Sequence, residues 1–487
     1  MKPTGAVAFS FLLSATACGR LSSLTSTTLS SSEHESAAAA PAAATAPSGV
    51  PAFRGAEGFG ASARGGRGGS VCRVTSLARD GAGTLQACFD AKGPRTVVFD
   101  VSGVIEGPLE IKHGLLTVAG QTSPSGITVK GGVVCDNVYD ANDCNDVVVR
   151  HVRFRGGAPD SFRIGGAHHI ILDHCSFASA EDENVEITRS RDITIQYAVI
   201  AEPRGDHYRW GGVLINYSKD VMPLDRITIH HSVWNGVAGR LPEISCEDNA
   251  DGPGKSSCAG RTIAVELTNN VLWDASDPIW FNRCTGSNQG NDCAPGSRES
   301  FALRLNLVGN VLARRAGAGD APFAEPALFA PTNDVHAADN ALVHGSVRTP
   351  VSGGTTARRH PFPAVTVTPS TALVATLART AGAFPRDAMD ERLASYLTRS
   401  VDQRPAAWRD DKGVDVGDSF GGRAASTAAA PLPDGDGDGM PDAWERTHRL
   451  DPAKGDGAVS GVATGCAATT TALECYLDEL ADGRVPR

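Results

Sequence analysis

Between Thr96 and Leu312 the chain repeats one short design, an alternating apolar and polar run closed by Gly, Asn or Asp. The runs read TVVFDVSG, LLTVAG, GITVKG, VVVRHVRF, HIILDHCSF, DITIQYAVI, RITIHHSVW, TIAVELTNNVLW and LRLNLVGNVL. Matching their ends gives Phe154, Phe177, Ile200, Trp234, Leu272 and Leu312, and subtracting these numbers gives intervals of 23, 23, 34, 38 and 40 residues. About two dozen residues make one coil of a solenoid, and longer intervals are coils with inserted loops. No amphipathic helical stretch separates successive runs, which argues against a βαβ sheet. The pattern therefore predicts an all-β chain wound as a parallel β-helix. Strand alternation points Val149, Ile171, Ile195 and Ile229 inward as apolar ladders. Asn269, Asn270 and Asn310 are expected to satisfy turn backbones. Of the adjacent His230 and His231, alternation sends at least one inward, so both read as ladder or core histidines, and His174 with them.

A chain of 487 residues exceeds an ordinary domain, but a solenoid can use that length in one body. Gly 54, Pro 28 and 6% aromatics fit many turns and thin layers. The net charge of −10 offers no global basic field for nucleic acid. Residues 1–18 read as an export signal, with Lys2, the apolar Ala6 to Leu13 and a small-residue cleavage site at Ala15-Thr16-Ala17. Cys18 follows at once, so two readings stand: a lipoprotein held at the outer membrane through lipidated Cys18, or simple secretion. Residues 19–50 form a Ser/Thr/Ala/Pro tether, 51–410 the β-helix, 411–433 a second linker and 434–487 a small C-terminal segment. The 12 cysteines include five sequence-local couples, Cys72/Cys88, Cys135/Cys144, Cys246/Cys258, Cys284/Cys293 and Cys466/Cys475. Local disulfides suit an oxidising compartment, and Cys175 is left as an inert core thiol.

Two acidic groups carry candidate chemistry. Asp160, Asp182 and Glu186, with Glu183 nearby, lie on or beside consecutive coils. Massed carboxylates repel unless a hard cation holds them ionised, and all-oxygen donors suit Ca²⁺ better than zinc or copper. The plain alternative is a solvated acidic face. Separately, Asp434, Asp436, Asp438, Asp442 and Glu445, with Gly439 between them, match D-x-D-x-D-G-x5-E, a calcium loop with ligands at alternate positions.

Several ordered blocks resemble the pectate lyases of polysaccharide lyase family 1: GAEGFGA, GGRGG, VTSL, DGAGTL, RTVVFDVSG, LTVAGQTSPSGITVKGG, DHCSF, DITIQYAVIAE and ITIHHSVWNGVAGRLP. The likeness runs from about Gly55 to Arg404. It implies a right-handed parallel β-helix and calcium-dependent β-elimination on pectate or a related acidic polysaccharide by a monomer. It implies calcium ligands at Asp160, Asp182 and Glu186, the catalytic base at Arg240, and substrate-binding groups at Arg209 and His207. Two positions depart from the family's pattern: Glu243, Ile244 and Ser245 stand where a second basic residue is common, and Ala158 where a further acid is. These departures motivate a noncatalytic carbohydrate-binding or adhesive surface protein as one alternative. A glycoside hydrolase on the same fold is the other, and would need two carboxylates at hydrolytic separation.

Overall fold

The computed structural model describes residues 49–138, 142–204, 211–246, 258, 260–282, 301–319, 321–403 and 432–486. Residues Ala44–Arg487 form one compact unit. Its body is a right-handed parallel β-helix; the coil spacing predicts the parallel winding, and the hand is the one the resemblance implies. Among the described residues, a 19-stranded sheet and a 7-stranded sheet are built from strands that pair with their equivalents one coil on.

The larger sheet contains two stacks. One begins at Ser70–Val74 and Arg95–Phe99 and includes His168–Asp173 and Arg191–Gln196. The other begins at Gly103–Glu106 and includes Ser176–Ala178 and Val199–Ala201. The long strand Asp334–His344 joins both, then folds back antiparallel with Val347–Gly354 and ends the parallel series. The smaller sheet is a third stack, Leu109–Glu110, Val133–Asp136, Phe162–Gly165, Val185–Thr188, Val213–Asn216, Glu243–Ser245 and Trp280–Asn282.

Parallel pairing aligns equivalent residues into rungs, and the spacing argument names them correctly. Phe154, Phe177, Ile200, Trp234, Leu272 and Leu312 are successive Cα partners inside the solenoid. The rings of Phe154 and Phe177 stack at 5.2 Å. In the first stack the inward rung is Val149, Leu172, Ile195 and Ile229. Ile171 is the exception to the expectation. It aligns with Val148 and Thr194 on the outer face and is buried under Phe53 and Ala63 of the N-terminal segment. The HHIILD run has apolar residues at three successive positions, so alternation alone did not set its phase.

The corners explain the histidines. His151, His174, Tyr197, His231 and Asn269 all take a left-handed backbone, with φ between 48° and 56°. That conformation breaks strand alternation, so neither His230 nor His231 turns into the solenoid. His174 stacks on Tyr197 at 4.9 Å, and Tyr197 on His231 at 4.9 Å. His231 also meets Thr368 Oγ1 at 3.1 Å. One residue further on, Ser232, Asn270, Asn310 and Asn340 form an internal ladder. Asn310 Oδ1 accepts the Asn270 N–H at 2.9 Å, and its amide donates to Leu267 O at 2.9 Å.

The outer faces of two stacks are covered. Residues 55–60 lie across the first, where Thr194 Oγ1 accepts the Gly60 N–H at 2.8 Å. Helices Ser370–Thr380 and Ala388–Leu397 bury Leu373, Leu377, Met389 and Leu393 on the second. Buried Arg155 there pairs with Asp390 at 2.8 Å. Disulfides join Cys72–Cys88, Cys135–Cys144, Cys246–Cys258 and Cys466–Cys475, and Cys175 is free and buried. Cys284, Cys293 and Cys18 lie outside the described residues.

Asn310→Ala leaves two buried backbone groups without partners, each costing about 1–3 kcal/mol. Urea unfolding should register a loss of about 2–6 kcal/mol. Burial holds His231 down at about 4, and burial with the His174 and His231 neighbours holds His151 and His230 well below the usual value. Their folded pKa values are depressed, so the stability they contribute is complete above about 6.5 and is lost as pH falls through 4. His231→Asn, the residue type one coil on at Asn269, should flatten the fall in Tm between pH 6.5 and 4; an unchanged slope would clear His231 of that role.

Candidate functional site

The third stack brings charge to its outer side. Arg163 is the Cα partner of Glu186, Glu186 of Leu214, and Leu214 of Glu243. Alternation buries Phe162, Val185 and Val213 beneath them, so this outward row is dictated by the apolar face. At the strand entrances sit Asp160, Asp182 with Glu183, and Arg240. Coils therefore gather residues that are far apart in sequence.

Asp160, Asp182 and Glu183 each offer a carboxylate oxygen within 4.8 Å of the others. Asp160 Oδ1 accepts the Glu183 N–H at 3.1 Å, and Asp182 N–H donates to Pro159 O at 2.9 Å. Glu186 faces Asp160 from the strand and accepts Arg163 Nη1 at 2.8 Å. Arg163 also reaches Asp136 at 2.9 Å. Arg240 pairs with Glu183, meets Glu243 Oε2 through Nε at 3.1 Å, and lies 3.7 Å from Asp182. Arg240 holds a left-handed φ of 52°, and its carbonyl accepts the Val213 N–H at 2.9 Å.

The glycines after the HYRW segment are required by this crowding. A Cβ on Gly211 would stand 1.9 Å from Asp182 O, and one on Gly212 2.3 Å from Arg240 O. Neither distance is possible for a real side chain. Solvent reaches Asp182, 37% exposed at its side chain, more than Arg240 at 16% or Glu183 at 2%.

Burial sets the electrostatics. It pushes Asp160 up to about 6, partly offset by the hydrogen bond shared with Glu186 and by Arg163. Burial and the Asp160 charge push Glu186 up to about 8, against the pull of Arg163. Asp160 Oδ2 is buried without an N–H or hydroxyl donor among the described residues, and Arg163 Nη1 stands 3.9 Å from it. Two apposed carboxylates either share a proton or share a cation. Oxygen-only donors of this density fit calcium.

Of the residues expected from sequence, Asp160, Asp182, Glu186 and Arg240 meet at this edge. Arg209 and His207 lie outside the described residues. Asp434, Asp436, Asp438, Asp442 and Glu445 form a second acidic group in the C-terminal segment. Sequence reasoning assigned no role to Arg163 or to Glu243 as the partner of Arg240. The signal for Arg163 was available, since it precedes Glu186 by the 23-residue coil interval already read from the strand ends.

No family profile matches the chain. It is 28% identical over 430 residues to a probable pectate lyase C of Aspergillus fumigatus, covering 83% of this chain and 89% of that protein. A probable pectate lyase C of Neosartorya fischeri is 29% identical over 429 residues with the same coverage. Among solved structures, the thermostable pectate lyase PL 47 aligns over 68% of this chain and 97% of its own, at 14% identity and a TM-score of 0.44. The resemblance to pectate lyases thus extends along most of the chain.

With folded pKa values raised, the ionised carboxylates are disfavoured in the folded state. Their contribution is complete below the ordinary values of 3.8 and 4.5 and is lost as pH rises through about 6 and 8. In chelator, Tm should fall between pH 5 and 8.5, and calcium should restore most of it at the higher pH. Glu186→Gln should weaken both effects, and a calcium effect equal at the two pH values would contradict the assignment.

Proposed function

We propose that the protein is an exported, calcium-dependent lyase that cleaves pectate or a related polyuronate by β-elimination. The observation that carries this reading is the convergence of Arg240 with Asp160, Asp182 and Glu186 on one edge of a β-helix, in a chain similar to pectate lyases over most of its length. Asp160, Asp182 and Glu186 would hold the calcium, with Glu183 beside them. When bound, the ion supplies positive charge that binds the substrate carboxylate and acidifies the neighbouring C5–H.

Arg240 is the proposed base. It takes the C5 proton, the C5–H pair becomes the C4=C5 double bond, and the glycosidic oxygen leaves C4 with its bonding pair and takes a proton from solvent. Glu243 orients the guanidinium through Nε at 3.1 Å, leaving the Nη side toward Asp182 and the carboxylate cluster. A guanidine takes a proton only in its neutral form, so the rate should rise with pH. Arg163 anchors Glu186 and so fixes the strand side of the cluster. Arg209 and His207 are proposed to bind further substrate carboxylates.

The four disulfides among the described residues support export to an oxidising compartment, with Cys18 as the proposed point of lipid attachment. Among the described residues no helix is long and apolar enough to cross a membrane.

Polygalacturonate incubated with the protein and calcium should develop the ultraviolet absorbance of an unsaturated uronide, and chelator should abolish it. Arg240→Ala should lower the rate by about 10²–10⁴-fold, the range of a lost general base. New reducing ends without absorbance would indicate hydrolysis, binding without turnover would indicate a carbohydrate-binding protein, and a rate maximum below neutrality would remove Arg240 as base.

A further inference from the structure

The acidic loop of the C-terminal segment is folded around its own carboxylates. Asp434 accepts the N–H groups of Gly437 at 2.8 Å and Gly439 at 3.0 Å. Asp436 Oδ1 accepts from Asp438 N at 3.2 Å, and Asp438 Oδ1 from Met440 N at 3.2 Å. Oxygens of Asp434, Asp436 and Asp438 lie within 4.8 Å of one another. Asp442 ties the loop shut by accepting the Gly435 N–H at 2.7 Å.

Independent of the loop pattern, Glu445 is 0% exposed, and neither of its carboxylate oxygens has a hydrogen-bond partner. It faces the charges of Asp438, Asp436, Asp442 and Asp456. Asp456 comes from outside the D-x-D-x-D-G-x5-E spacing. It is 4% exposed and its Oδ1 also lacks a partner, while its Oδ2 meets Lys454 at 3.4 Å. Next to it, the Gly457 N–H donates to Asp438 Oδ2 at 2.7 Å, which brings the two segments together. A fully buried carboxylate with no donor, facing four others, lacks the positive charge that such burial demands.

We propose that one calcium ion binds among Asp434, Asp436, Asp438, Glu445 and Asp456, and that it rivets the C-terminal segment to the first coils of the solenoid. All donors are oxygens, and five of them come from carboxylates on a loop, a helix and a neighbouring turn, which suits the larger, irregular coordination of calcium over the stricter octahedron of magnesium. The loop leads directly into the docking surface. Met440, 0% exposed, packs with Leu473 and Leu477 of the Ala472–Arg484 helix and with Ala119 of the solenoid. Asp434 pairs with Arg73 of the first strand. The helix itself is held by Arg150–Asp478 at 2.8 Å and Arg67–Glu474 at 2.6 Å. Five carboxylates brought together without a cation would push apart the loop and the 456–459 turn, whose Gly457 and Val459 carbonyls accept the N–H groups of Leu473 and Ala472 that start this helix.

The test uses the full chain, stripped with chelator, and reads calcium stoichiometry by titration calorimetry and amide hydrogen exchange of residues 472–484. Calcium should slow that exchange by about tenfold or more in the wild type. Glu445→Gln and Asp456→Asn should each lose one tight calcium equivalent together with that protection, while Asp182→Asn, in the other cluster, should keep the protection. Asp456 lies in a loop, so Asp456→Asn decides the matter if Glu445→Gln does not fold. Unchanged stoichiometry in Asp456→Asn, or exchange indifferent to calcium in the wild type, would overturn the proposal.

Discussion

Parallel pairing of each strand with its own equivalent one coil away is the constraint on which everything else rests. It satisfies the backbone groups of short strands that could not stand alone. It also makes like residues neighbours, and the chain uses this differently on each side. Inside, it stacks Phe154 on Phe177 and lines up Leu172, Ile195 and Ile229. At one corner it lines up Asn270, Asn310 and Asn340, whose amides close the turns of adjacent coils. Outside, it places Arg163, Glu186 and Glu243 along one sheet.

The same stacking makes a buried charged site expensive to hold. Asp160 and Glu186 are buried and apposed, so their ionised forms depend on Arg163 and on any cation that joins them. Arg240 is likewise held between Glu183 and Glu243. Arginines and carboxylates alternate across the edge, held by neighbours from adjacent coils and, between Arg240 and Glu243, by a contact three residues along the same coil. Glu243 illustrates the consequence. Read as a sequence it is an acid where a basic residue was expected; in the fold it is the group that positions Arg240.

Covering elements complete the body. The N-terminal segment lies on one stack, two helices lie on the next, and the C-terminal segment clasps the body through Arg150 and Arg67, which hold its helix, and Arg73, which holds Asp434 of its loop. Each cover satisfies outward polar groups that the solenoid alone would leave to water, such as Thr194 and buried Arg155.

Much of this was legible in residue order. Rungs from Phe154 to Leu312 follow from spacing alone, because a coil of near-constant length maps sequence interval onto vertical neighbours. Asp160, Asp182 and Glu186 could be grouped for the same reason. The phase of a strand was less secure: in HHIILD both faces are apolar, one against the core and one under Phe53, so period-two reasoning misplaced Ile171. The histidine corner was also beyond it, since a left-handed residue resets alternation and no pattern announces where that occurs. What the sequence by itself determined is the coil repeat, the apolar interior and the inventory of acids and arginines. Only tertiary structure decided which acid faces which arginine, that Glu243 serves Arg240, and that Asp456 joins a loop ending at Glu445. Most of these pairings depend on distances between coils and covers, and the Arg240–Glu243 pair on the left-handed turn at Arg240, none of which local propensity and spacing encode.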